Sequence, residues 1–288
     1  MGPIIIVGMH RSGTSLVAEI LQKLGVFIGA DLDDNYESDF FYNLNRWIFY
    51  QSGSTWDNPQ NLSHSTGDFI SQIEKNLDKQ VSSIKTIKYL GSFIDHLKYK
   101  SLTELNFKWG WKDPRNTFTF DFWRHIFPEA RIINIYRNPI DVAMSLKKRE
   151  ELFDINCGTK TRTGFIKKYN EYCLIKKRLY KHSLRARVLE EGVKLWEEYV
   201  NKILSAQWGN HKILHLHYED LITGPSKEIS KLIKFAGLNI NEGQIQDATG
   251  LVNKRPCYSF ISDKQMIKLY RTVQHLPSVK NLGYQNII

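Results

Sequence analysis

Apolar residues along the chain follow two rhythms. Short unbroken runs, PIIIVG at 3–8, RIINIY at 131–136 and KILHLHY at 212–218, have the length and β-branched content of buried strands. After each, apolar positions recur at helical spacing: LVAEILQKL at 16–24, the segment from Ile140 to Leu152, and SKEISKLIKFAG at 226–237. Pro139 stands near the first turn of the second helix, and Gly237 is placed to cap the third. EDLITGP, between the third strand and its helix, reads as a turn. Strands alternating with helices predict an α/β fold with a central parallel sheet flanked by helices.

Elsewhere the pattern gives fewer landmarks. Residues 51–108 are polar with mixed helical signals, and 147–187 carries the basic runs KKR, IKKY, IKKR and LRAR. The basic stretch reads either as the solvated face of long helices or as a surface for polyanions. No repeat, low-complexity tract or flexible linker divides the chain. A single domain over 1–288 is expected, with 31–108 and 150–190 as acceptor-side or lid regions.

Composition narrows the class. With 288 residues, 42% of them hydrophobic, the chain can bury a core without disulfides or metals. Cys157, Cys173 and Cys257 are too scattered for a disulfide framework or a metal site, which points to the reducing cytoplasm. No apolar run is long enough to span a membrane, and IIIVG is too short for a secretory signal. The net charge of +10 suits either nucleic acid or a small ligand with several phosphates.

GMHRSGTS at 8–15 decides between those ligands. It has the glycine spacing and final hydroxyl of the phosphate-binding loop G-x-x-x-x-G-K-[ST], but Thr14 replaces the lysine. Backbone amides and the following helix can still cradle a 5′-phosphate. Without the lysine, the usual machinery for a magnesium triphosphate is missing, and Arg11 brings a charge from earlier in the loop. In IYRNPIDVAMSL, Arg137 ends a strand and Ser145 lies in the next helix, which gives a second anion site. Two such sites suggest a ligand with two separated phosphates.

GMHRSGTS resembles the 5′-phosphosulfate loop of the PAPS-dependent sulfotransferases, and YRNPIDVAMS resembles their 3′-phosphate motif, R-N-P-x-D-x-x-x-S. WKDPR at 111–115 and YEDLITGP at 218–225 look like segments of bacterial and Golgi-type members. The resemblance implies a P-loop-like sulfotransferase fold and transfer of a sulfuryl group from 3′-phosphoadenosine 5′-phosphosulfate (PAPS), with no metal. By position, Arg11, Ser12, Gly13, Thr14 and Ser15 would hold the phosphosulfate, Arg11 standing where the family has a basic residue on the leaving oxygen. Arg137 and Ser145 would grip the 3′-phosphate. Lys254 and Arg255 stand where the family often has a basic loop, although a plain surface pair is the competing reading.

The resemblance also implies a base. Counting back from Leu44-Asn45 places Glu37 at the family's glutamate, and a slipped register would put Asp34 or Asp39 there instead. Asp113 and Lys112 of WKDPR are the other catalytic candidates, Asp113 competing with a role as charge partner of Lys112 or Arg115. His10, inside the loop, can as easily pack as react. The acids from Asp31 to Asp39 favour a cationic acceptor if they border its pocket. The expected partner is a small molecule with a hydroxyl or amine, a carbohydrate or protein tyrosine being the alternative; a homodimer is open and nucleic acid is not expected. A P-loop small-molecule kinase and a basic nucleic-acid-binding protein are the rivals from other classes.

Overall fold

The computed structural model describes residues 2–159, 183–252 and 256–288. Lys254, Arg255 and most of the basic stretch lie outside them. Four strands form one parallel sheet: β1 (Ile4–Gly8), β2 (Gly110–Lys112), β3 (Arg131–Tyr136) and β4 (Lys212–His217), in the order β2-β1-β3-β4. The expected parallel α/β sheet is present, with β2 as a strand beyond the three read from apolar runs.

The order creates a topological switch point. The chain leaving β1 goes to one side, to β2, whereas the chain leaving β3 goes to the other, to β4. The carboxyl ends of β1 and β3 therefore flank a topological switch point, where open α/β sheets bind ligands. Ile6 is in register with Lys112 and Gly8 with Ile135, so the loop after β1, Lys112 and Arg137 leave the sheet along one edge.

Two compact units divide the chain, one comprising Met1–Asn138 with Glu198–Ser259 and the other Pro139–Glu197 with Phe260–Ile288. In the first, strand alternation separates two packed faces. Ile4, Ile6, Ile133, Ile135 and Leu216 join the buried side of α1 (Thr14–Lys23) and apolar residues near 229–236. Around Trp111 the packing is aromatic, with Phe41 stacked on it at 3.9 Å between ring centroids and Trp123 at 5.4 Å. Each of these large buried rings contributes about 1.5–3 kcal/mol by leaving water.

Helices α2 (Asp39–Gln51), α3 (Gly67–Val81), α4 (Ile87–Leu90) and α5 (Phe93–Tyr99) lie between α1 and β2, and α6 (Asn116–Ile126) follows β2. In the second unit, α7 (Pro139–Thr159) begins at the expected proline, and Asp141 accepts a hydrogen bond from the Phe260 amide. Helix α8 (Leu189–Ser205) packs closely on α7 at Gly192, where a Cβ would lie 3.1 Å from that of Ala143.

EDLITGP is not a simple turn. Residues Tyr218–Thr223 form a short helix, α9, followed at once by α10 (Pro225–Ala236). Buried Tyr218 and Leu221, three residues apart, give α9 an inward face, and Gly224-Pro225 only breaks it from α10. Gly237 caps α10 in the left-handed region, at φ 63°, as its position predicts.

Candidate active site

The loop after β1 is shaped by its backbone. Arg11 and Gly13 both have positive φ, 69° and 102°, which folds the chain back so that Ser12 N–H donates to the Met9 carbonyl. Gly13 is required twice over: a side chain there would be strained, and its Cβ would come 2.6 Å from the Tyr218 ring. Helix α1 starts at Thr14 with no side-chain cap on its first amides. Ser12 Oγ, on a residue only 1% exposed, has no hydrogen-bond partner among the described residues. A buried orphan hydroxyl beside uncapped helix amides fits an anionic ligand better than an empty turn.

Two neighbouring segments pin the loop. Thr117 Oγ1 accepts from the Gly8 amide at 3.1 Å, and Asn116 Nδ2 donates to the Ile6 carbonyl at 3.1 Å. Arg137 Nη1 donates to the Arg11 carbonyl at 3.2 Å, and its guanidinium lies 4.4 Å from the centre of the Tyr218 ring. Glu219, 4% exposed, accepts from both the backbone and side-chain nitrogens of Asn138, at 2.9 and 3.0 Å. YEDLITGP thus supplies the ring under Arg137 and the carboxylate that fixes the turn after β3. Ser145 lies on α7, in the second unit.

A second cluster forms where WKDPR meets the 33–37 turn. Lys112 Nζ reaches Glu37 Oε1 at 2.8 Å and the Asn35 carbonyl at 3.1 Å, and that carbonyl also accepts from Ser15 Oγ at 2.9 Å. Glu37, Lys112 and the end of the loop are therefore joined through one backbone oxygen. Arg115 Nη1 is shared between Asp113 Oδ1 at 2.9 Å and Glu37 Oε2 at 3.5 Å. Asp39 instead pairs with Lys88 at 2.8 Å, and Asp33 caps the amides of Asn35 and Glu37.

The two carboxylates differ in availability. Asp113 is fully buried and already accepts from the Arg115 amide, the Arg115 guanidinium and Asn45 Nδ2. Burial pushes its carboxyl up, against the pull of Arg115. Burial would raise Glu37 too, but the facing charges of Lys112 and Arg115 outweigh it and hold this carboxyl below its usual range. His10 packs edge-on against Trp56 and Tyr199, with centroids at 4.7 and 5.9 Å.

Sequence reasoning missed the residue that holds this cluster. Asn45 is wholly buried, donates to Asp113 and Asn116, and accepts from Thr119 Oγ1 and Trp123 Nε1. Its amide is fully used, and replacing it removes a bond from each of four buried partners. Of these, Asp113 Oδ2 and Trp123 Nε1 have no other hydrogen bond among the described residues. Asn45→Ala should destabilise the fold by about 3 kcal/mol or more, read as a lower urea midpoint. A change below about 1 kcal/mol would mean that the partners re-pair without it.

No curated protein matches the chain. Solved structures similar to it include the sulfotransferase domain from the Synechococcus PCC 7002 olefin synthase, at 16% identity over 98% of this chain and 94% of that one, with a TM-score of 0.48. A sulfotransferase from Alicyclobacillus acidocaldarius matches at 13% identity over 100% and 97% of the two chains, with a TM-score of 0.47. The mouse sulfotransferase SULT7A1 complexed with PAP matches at 15% identity over 88% and 65%, with a TM-score of 0.35. Residues 3–242 match the model of the sulfotransferase family. That span takes in the loop, WKDPR, the R-N-P motif and YEDLITGP, and the chain belongs to the sulfotransferase family.

Proposed function

We propose that this sulfotransferase takes its sulfuryl group from PAPS and delivers it to a hydroxyl or amine of a small-molecule acceptor, releasing 3′,5′-adenosine bisphosphate. The observation that carries the reading is the loop itself: a cradle with buried Ser12 Oγ unpaired, Thr14 in place of the lysine, and Arg137 beside it at the next strand end. When bound, PAPS supplies an activated sulfuryl group on a phosphate leaving group. Ser12, Gly13, Thr14 and Ser15 bind the 5′ end with backbone amides and hydroxyls, and Arg11 adds positive charge. Arg137, oriented by Tyr218, takes the 3′-phosphate. Lys112 neutralises charge developing on the leaving oxygen, and Glu37 accepts the proton of the acceptor.

Asp113 is assigned to positioning Arg115, because each of its hydrogen bonds is already made within the protein. A kinase reading is disfavoured by Thr14, which cannot reach a γ-phosphate with a charge. Of the acids that would favour a cationic acceptor, Asp33, Glu37 and Asp39 are engaged with the protein's own amides and cations, and Asp31 and Asp34 are exposed.

Thermal unfolding tests the donor. Bisphosphate should raise Tm through linkage, and AMP much less. Arg137→Ala should weaken the bisphosphate by about 2–3 kcal/mol, the scale of a lost charge-assisted bond, and AMP less, through the Arg11 carbonyl that Arg137 also holds. Equal shifts from the two nucleotides would remove the two-phosphate reading. A larger shift from ATP with Mg²⁺ would restore the kinase.

A further inference from the structure

We infer that Arg46 receives a carboxylate on the acceptor and thereby sets acceptor specificity. The inference rests on the assignment of Glu37 to the acceptor side. Helix α2 places Tyr42, Arg46 and Tyr50 four residues apart on one stripe. The Arg46 guanidinium lies 5.2 Å from the centre of the Tyr42 ring and 5.5 Å from that of Tyr50, and its Nη2 donates to Tyr50 Oη at 2.9 Å. At the inner end, Arg115 lies 4.6 Å from the centre of the Tyr42 ring while also reaching Glu37. The stripe therefore starts at the proposed base and runs outward to Tyr50, which is 51% exposed.

Charge distinguishes Arg46 from its neighbours. Lys112 pairs with Glu37, Arg115 with Asp113 and Glu37, and Lys88 with Asp39. Among the described residues no carboxylate pairs with Arg46. An ordinary surface arginine is mobile and binds anions weakly, because ordering the side chain opposes the gain. Here two rings and a hydrogen bond hold the guanidinium in place, so less freedom is lost when an anion arrives. One donor is used by Tyr50 and the others remain, in the planar fork that matches a carboxylate. The acceptor this describes has its hydroxyl at Glu37 and a carboxylate further along α2, separated by a segment that lies along Tyr42.

The probes are ω-hydroxyalkanoates of increasing chain length, each paired with its methyl ester. Calorimetric titrations are run on the ligand-free and the bisphosphate-loaded protein. At one chain length the carboxylate should bind about tenfold tighter than its ester. Arg46→Gln should abolish that preference with unchanged bisphosphate affinity, and Arg46→Lys should restore part of it. Carboxylates that bind no tighter than their esters at every length overturn the inference, as does a preference that survives Arg46→Gln. Failure of the bisphosphate to bind would instead remove the donor reading, and the probe preference of the ligand-free protein would still decide Arg46.

Discussion

Glu37→Gln should lower turnover by about two to four orders of magnitude while bisphosphate affinity stays near its wild-type value. The amide keeps the size of the side chain and can still accept from Lys112, but it cannot take the acceptor's proton. The substitution also removes the negative charge facing Lys112 and Arg115, both nearly buried. Breaking a buried pair in this way costs about 3–5 kcal/mol, so the rate must be read on protein shown to be folded by its bisphosphate binding. A hydroxyl acceptor is needed, because an amine already neutral at the assay pH would blunt the effect. Asp113→Asn is the companion variant. If it abolishes turnover with intact bisphosphate binding while Glu37→Gln stays active, the base is Asp113.

The same pair gives a pH signature. Glu37 is held below its usual value in the folded protein, so its contribution to stability is complete above the unfolded carboxylate range, about pH 4.3. That contribution is lost as pH falls through the lower folded value. The Tm difference between wild type and Glu37→Gln should therefore be constant near neutrality and shrink on acidification below about pH 4. A difference independent of pH would show that Glu37 has the same proton affinity folded and unfolded, and so is not held low by Lys112 and Arg115.

What could be read from the sequence follows from range. Strands β1 and β3 are buried on both faces, so they appear as unbroken apolar runs, and α1 after β1 carries one-sided spacing, whereas the start of α7 after β3 is buried all round. Strand β2 has only three residues, Gly110–Lys112, ends in a lysine and gives no such run. The turn from Arg11 to Ser15 and the place of Arg137 at a strand end were legible because they depend on local spacing. The contacts that organise the cluster are not local. Asn45 meets Asp113 across 68 positions, and Glu219 meets Asn138 across 81. Buried polar partners of this kind leave no periodic trace, since each side chain alone looks like any surface polar residue. Glu37 was reached through its spacing from Leu44-Asn45, yet the pairing with Lys112 that gives it a charge environment appears only in the folded chain.

Lys112→Met should lower kcat by about two to three orders of magnitude, the scale of losing one electrostatic donor to a developing oxyanion. Methionine fills similar apolar space, so most of the loss can be assigned to charge. Lys112 also acts on Glu37, and this gives a readout that a structural role would not produce. The ammonium is shared between Glu37 and the Asn35 carbonyl. Its charge is one of the two that hold Glu37 low. Without it, burial and the single remaining cation Arg115 leave the Glu37 carboxyl higher. The acid limb of kcat/KM, which tracks the ionised base, should then move to higher pH in Lys112→Met. A carboxylate held low is a weak base; on the proposed mechanism, charge that Lys112 gives to the leaving oxygen is withdrawn from Glu37, which raises its basicity. The double variant Glu37→Gln with Lys112→Met should consequently be far less impaired than the two losses multiplied, because each residue acts partly through the other. Full multiplicativity, with an acid limb unmoved in Lys112→Met, would separate the two side chains and leave Lys112 with the leaving group alone.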